Sequence, residues 1–220
     1  MNRVITVKGV GKVQIAPDLI VTEMSLSAKD REYERTMELA SEQLEDIRAV
    51  LKPLGFEAAD IKTVSFNVSQ EYASERDKDG NYFNRFVGYI CSHRLKIEFG
   101  LDMERLSQVL SAIAGCLASP EFSIRFTAKD KSSVSNALLA SAAANAAEKA
   151  QVLASAAGVS LGEIVSIDYN FGDLPLYSRT NYEIADQCLR SAPKMMGMAV
   201  APDDIEVSDS VTMTWEIKNS

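Results

Sequence analysis

Along the first thirty residues apolar and polar positions alternate with a period of two, the spacing that puts successive side chains on opposite faces of a β-strand. Arg3 to Ala16 reads as one strand, and after the Pro17-Asp18 break "LIVTEMSLSA" reads as a second, expected to be its hairpin partner. From Asp30 the period changes. Tyr33, Met37, Ala40, Leu44, Ile47 and Leu51 recur at steps of four and three, an apolar stripe on a helix that Asp30 caps and Pro53 ends. The carboxylates between them form a solvated face rather than an acid-base pair. Alternation returns in Ile61 to Ala73 and in the long run Tyr82 to Phe99, with the polar turn "SERDKDGN" between. Asp102 then caps a helix carrying Leu106, Val109, Leu110 and Ile113 and closing at Gly115.

Phe122 to Ala128 is the next strand. Asp130 opens the longest helix, which runs to Gly158 with eleven alanines between Ala137 and Ala157, a composition of high helix propensity whose small side chains let it approach a neighbour closely. Glu163 to Phe171 and Asp204 to Ile217 are the final strands, separated by an irregular segment, 172–203. A stretch that long without regular structure usually has a task or is disordered. The order ββαββαβαββ, rich in hairpin connections, predicts an α+β fold, mostly antiparallel sheet with three helices packed on it. No linker divides the chain, so residues 3–217 are expected to form a single domain.

Composition narrows the functional classes. The 220 residues are 46% hydrophobic and 25% charged, ordinary for a globular protein, and the net charge of −8 disfavours nucleic acid and anionic membranes as partners. There is no transmembrane segment, since no apolar run approaches the roughly 20 residues that span a bilayer. "MNRVITV" passes straight into strand-like sequence without a secretory leader, which places the chain as given in the cytoplasm, or in the periplasm or outside the cell if a leader has been removed. Cys91, Cys116 and Cys188 are odd in number and irregular in spacing, so they suggest neither a disulfide framework nor a zinc site.

Four stretches invite a chemical reading. "GVGK" (Gly9 to Lys12) lacks the four-residue glycine spacing and the following helix that a phosphate loop needs, and glycines inside a strand mark a bulge or a close backbone approach. Cys91 and His93, two apart on a strand, share a face, the placement a thiol-imidazole pair or a two-ligand metal site would need. Tyr89, Leu95, Ile97 and Phe99 share it too, which reads as core, and His93 has no second histidine to recruit. "DKDGN" (Asp77 to Asn81) departs from a calcium loop in the position of its glycine and reads as a hairpin turn. Met195, Met196 and Met198 in "KMMGMAV" could serve a soft metal or an adaptable protein contact.

The whole chain also resembles the SIMPL-domain family. "ITVKGVGKVQIAPD", "LGFEAADIKTVSFNV", the Gly-Tyr strand "VGYICSHRLKIEF" and the alanine-rich helix with Glu148-Lys149-Ala150, Gly158 and Leu161-Gly162 carry the resemblance, from Arg3 to Ile217. The chain departs from the family pattern at Pro202-Asp203, where Pro-Gly is common, and at His93, where Asn is usual. The resemblance implies an α+β domain that assembles into rings or channel-like homo-oligomers, links to oxidative stress and, in an animal member, to kinase signalling, an export signal in most bacterial relatives, and no established catalytic residues. The expected protein is therefore non-enzymatic, without catalytic, cofactor or metal residues, self-assembling or partner-binding, with Met195, Met196 and Met198 as a candidate contact. The competing expectation is a thiol- or metal-dependent redox protein using Cys91 with His93 or the methionine cluster.

Overall fold

The structure, a computed structural model, describes residues 3–76, 78, 80–170, 175–184 and 201–219. The chain divides into two compact units, one from the described parts of Met1–Asp18, Thr127–Arg179 and Pro202–Ser220, the other from those of Leu19–Phe126 and Thr180–Ala201. The fold is α+β, as the alternation and the helical periods predict.

The first unit is a three-stranded sheet under one helix. Strand β1 (Val4–Ile15) pairs antiparallel with β8 (Ile205–Asn219), and β8 pairs antiparallel with β6 (Val159–Tyr169). The helix α3 (Lys131–Ala156) starts where the Asp130 carboxylate accepts the Ser133 N–H and ends just before Gly158, whose φ of +67° is a left-handed turn. Its buried positions, Leu138, Ala142, Ala146, Ala150 and Ala154, fall every four residues, so the stripe facing the sheet is made of methyl groups. Val7, Val211, Met213 and Trp215 pack against it.

That stripe meets the two glycines of "GVGK". A Cβ on Gly9 would lie 2.1 Å from the Ala142 carbonyl oxygen, and one on Gly11 2.2 Å from that of Leu138. The glycines thus admit helix backbone against strand backbone. The β1–β8 register runs without a bulge, so of the two structural readings of these glycines the close approach is the one realised. The low seat of the helix also brings its side chains to the free edge of β1. Asn145 Oδ1 accepts the Val10 N–H at 3.0 Å, and Lys149 Nζ donates to the Lys8 carbonyl at 3.3 Å. Groups that would otherwise template another strand are occupied.

The second unit is a sheet with helices on one face. Its strands β2 (Leu19–Asp30), β3 (Lys62–Arg76), β4 (Tyr82–Gly100) and β5 (Glu121–Thr127) lie in the order β3-β4-β2-β5; β7 (Tyr177–Ile184) follows β5 in the sheet order and is divided between the units after Arg179. Helices α1 (Tyr33–Leu51) and α2 (Met103–Ala114) cover the face that carries Ile20, Met24, Leu95, Ile97, Phe99, Ile124 and Phe126. The Asp102 carboxylate accepts the Arg105 N–H and caps α2 as expected, while Pro53 turns the end of α1 into a short 3-10 turn, Lys52–Leu54.

Three expectations need correction. Strands β1 and β2 are not a hairpin. The Asp18 N–H bonds the Thr127 carbonyl, the Asp18 carboxylate accepts the Lys129 N–H, and no residue from Ala16 to Asp18 takes the positive φ that a three-residue hairpin loop requires. The segment 172–203 is not wholly irregular, because Tyr177–Ile184 is a strand, giving the order ββαββαβαβββ. Its Ser178 is buried, donating to the Asp203 carbonyl, which places a polar residue where an apolar one would have announced a strand. Asp30 ends β2 instead of capping α1; its carboxylate accepts the N–H of Glu32, the residue at the cap position.

Gly9→Ala is expected to destabilise the fold by about 3 kcal/mol or more, because the clash is with backbone that cannot rotate away. Lys12→Ala, on the exposed face of the same strand, should stay within about 0.5 kcal/mol. Urea midpoints of the two variants measure the difference, and similar values would remove the close approach as a determinant of the fold.

Candidate functional site

Cys91 and His93 lie on the core face of β4, as their spacing predicts, and both are buried there. Cys91 is 1% exposed among Ala28, Ala40, Leu39 and Val68, and burial raises its thiol pKa, the opposite of activation. His93 is 6% exposed, with Nε2 2.9 Å from the Thr63 hydroxyl and its ring edge-on to Phe66 at 5.0 Å; its Nδ1 is buried with no hydrogen-bond partner among the described residues. Burial lowers the imidazole pKa, and the positive charge of Arg48 lowers it further. A buried ring bonded to a hydroxyl fits the reading of His93 as a core residue. Cys116 is likewise buried with a raised pKa. Met195, Met196, Met198 and Cys188 lie outside the described residues, as do Asp77 and Asp79. Gly80, at φ +87°, takes the left-handed turn expected of "DKDGN", and its carbonyl accepts from Arg76 Nε.

Two surfaces of the second unit were not singled out by the sequence. The first is an arm. Strand β2 stops pairing with β4 at Asp30 opposite Tyr89, and beyond that point Glu71–Arg76 and Tyr82–Gly88 pair only with each other among the described residues. The arm exposes Tyr72, Tyr82, Phe83 and Val87, with Tyr82 72% exposed. At its root edge-to-face contacts run from Tyr72 to Phe86, Phe86 to Tyr89 and Tyr89 to Tyr33, at 5.8, 5.3 and 5.6 Å. The Glu75–Arg85 and Lys29–Glu71 ion pairs flank it.

The second is a basin on the sheet face opposite the helices. Arg94 stands on β4 with Ser25 of β2 and Ser65 of β3 directly across from it on either side, and Ser27 and Ser92 are opposite one another one pleat away. With Ser119 ahead of β5 and Glu121 at its start, these residues line a depression of about 600 Å³. Ser119 holds a φ of +43°, an uncommon conformation for a residue with a side chain. The sequence signal for this basin is faint: serines occupy the outward phase of strands whose inward phase is apolar, which by itself reads as solvent-facing.

The chain matches the SIMPL family, described as a protein of unknown function (DUF541), over residues 5–215. It is similar to the 26 kDa periplasmic immunogenic protein of Brucella melitensis, 26% identical over 163 residues, and to that of Brucella abortus strain S19, 25% identical over the same length. Each match covers 74% of this chain and 65% of the relative, so the chain spans just under two thirds of the length of these relatives. It belongs to the SIMPL family. The stretches behind the resemblance now have physical tasks: Gly9 and Gly11 admit α3, Asp18 holds Lys129, Lys149 seals β1, and Gly88 passes against the Asp30 carbonyl, 2.4 Å from where its Cβ would be.

His93 makes stability depend on pH. Its folded pKa lies below the ordinary 6.5, so the unfolded chain binds the proton more readily. Its contribution is full above pH 6.5 and is lost as pH falls from there through the folded pKa. His93→Asn should flatten the fall in urea midpoint between about pH 7.5 and about pH 5.5 relative to the parent, and an unchanged slope would assign that fall to other groups.

Native Cys91 should also label with a thiol reagent at least about a hundredfold more slowly than in denaturant. Rapid native labelling would revive the redox reading.

Proposed function

From its place in the SIMPL family, we propose that this chain is a non-catalytic assembly module whose copies join through the β3–β4 arm. The observation that carries the reading is the arm itself. A two-stranded ribbon is marginal in water, yet this one extends beyond the third strand while exposing Tyr72, Tyr82, Phe83 and Val87. A second copy is the occupant that charge favours. Between Glu71 and Val87 there are four acidic and three basic side chains, near balance in a chain of net charge −8, so copies meet there with the least mutual repulsion.

The family match runs through both compact units, and we take residues 3–217 to work as one SIMPL domain. The Brucella relatives are named as periplasmic proteins, and the same location is part of this proposal. No helix among the described residues is long and apolar enough to cross a membrane. Met195, Met196 and Met198 are a second candidate contact.

Light scattering of the purified protein at micromolar concentration should give a multiple of the 24.1 kDa chain mass. Tyr82→Ser with Phe83→Ser should shift it toward one chain while leaving the melting temperature within a few degrees, since both rings are exposed. A mass of 24.1 kDa for the parent would refute assembly. An oligomer that survives this double change and dissociates when the three methionines become serine would move the interface to that segment.

A further inference from the structure

We propose that the basin around Arg94 is a binding site for a sugar acid, a small polyhydroxylated carboxylate. The polar groups that converge there are unspent. The Arg94 guanidinium, the Glu121 carboxylate and the hydroxyls of Ser25, Ser27, Ser65 and Ser92 line the basin, and none of these side-chain groups has a hydrogen bond or ion pair within the protein among the described residues. The contrast with the neighbouring charges is direct, since Arg125 on the adjoining strand β5 is held by Glu23 and Lys96, two residues along β4, by Glu98. Arg94 is thus a free cation on a chain of net charge −8.

Each group constrains the ligand. A free guanidinium fork matches a carboxylate through two parallel N–H···O bonds, and one cation balances one negative charge. Glu121, when ionised, accepts only, so the ligand must bring hydrogens to it; it also repels a doubly charged phosphate. Serine hydroxyls both donate and accept, which suits ligand groups that do the same. Leu26, His93 and Ala118 complete the lining; Leu26 and His93 are buried on the core face, so the groups offered to a ligand are mainly polar. A carboxylate set among hydroxyls meets these conditions together, and about 600 Å³ accommodates a hexose-sized unit. Free sugar acids and the uronate units of an acidic polysaccharide present the same chemistry.

Calorimetric titration of the full chain with D-galacturonate and, separately, with trigalacturonate tests the proposal. Galacturonate should bind saturably with a dissociation constant on the order of 1 mM. Galactose, which lacks the carboxylate, and acetate and L-serine, which lack the ring hydroxyls, should each bind at least about tenfold more weakly. Arg94→Gln should weaken galacturonate by at least about tenfold, and Arg94→Lys, which keeps the charge but not the fork, should restore only part of the loss. Both substitutions are on an exposed side chain, and an unchanged melting temperature establishes that the fold is retained. Tighter binding of the trimer per site identifies the polysaccharide as the source, and equal binding the free acid. No saturable heat below about 10 mM with either ligand, equal binding of acetate or L-serine, or an Arg94→Gln variant that binds normally would overturn the assignment.

Discussion

Backbone contact between α3 and β1 is the constraint on which the first unit depends. Leu138 and Ala142 present carbonyl oxygens where side chains at positions 11 and 9 would begin, so neither strand nor helix could be seated as it is if either glycine carried a methyl group. Such packing gains from dispersion over many close atoms instead of from a few large side chains, which is why the helix can be alanine-rich and still fully buried along one stripe. Other features follow from the short distance. Asn145 and Lys149 reach the free edge of β1, and Val7, Met213 and Trp215 fill what the alanines leave. At the far strand the sheet is less well covered, and Ile164 and Ile167 of β6 stay more than half exposed.

The second unit is organised by the opposite principle, a sheet whose two faces have different solvents. His93 and Arg94 are adjacent in sequence and face opposite ways. The imidazole is buried against the Phe66 ring, where burial disfavours its charged form, and the guanidinium lies among small hydroxyls. Alternation alone separates a titratable group that the fold suppresses from a charged group that the fold leaves available. The serines matter sterically as well, since longer side chains beside Arg94 would fill the depression.

Elements with a strong period were legible in the sequence: both N-caps at Asp102 and Asp130, the stop at Pro53, the helix α1 with Ala40, Ile47 and Leu51 buried, and the alternation along the Cys91–Phe99 part of β4 stand where pattern places them. Pairing was not. That β1 joins β8 and not β2 depends on Asp18 bonding to Thr127 and Lys129, more than a hundred residues away, which no local window contains. Strand β7 escaped notice because Ser178 takes an inward position with its hydroxyl bonded to a backbone carbonyl. The glycines of "GVGK" could be read as a close approach, but its partner, α3, lies more than a hundred residues along the chain. The basin was hidden for a different reason: Ser25, Ser65, Ser92 and Arg94 come from three strands and become neighbours only through register.

The pairing of the first strand with the last has a consequence for the order of events as the chain leaves the ribosome. Every position from Val4 to Ile15 waits for a partner between Ile205 and Glu216, so β1 is made first and completed last. The second unit draws chiefly on the unbroken stretch Leu19–Phe126 and can close while the rest is still being synthesised. Until β8 emerges, β1 is an unpaired strand with an available backbone. Its earliest native partner is α3, whose amide and ammonium groups can occupy one side of it some fifty residues of translation before the sheet is complete. Once formed, the helix can cover one edge of β1 for the remainder of the wait; before that the strand stays open to other chains.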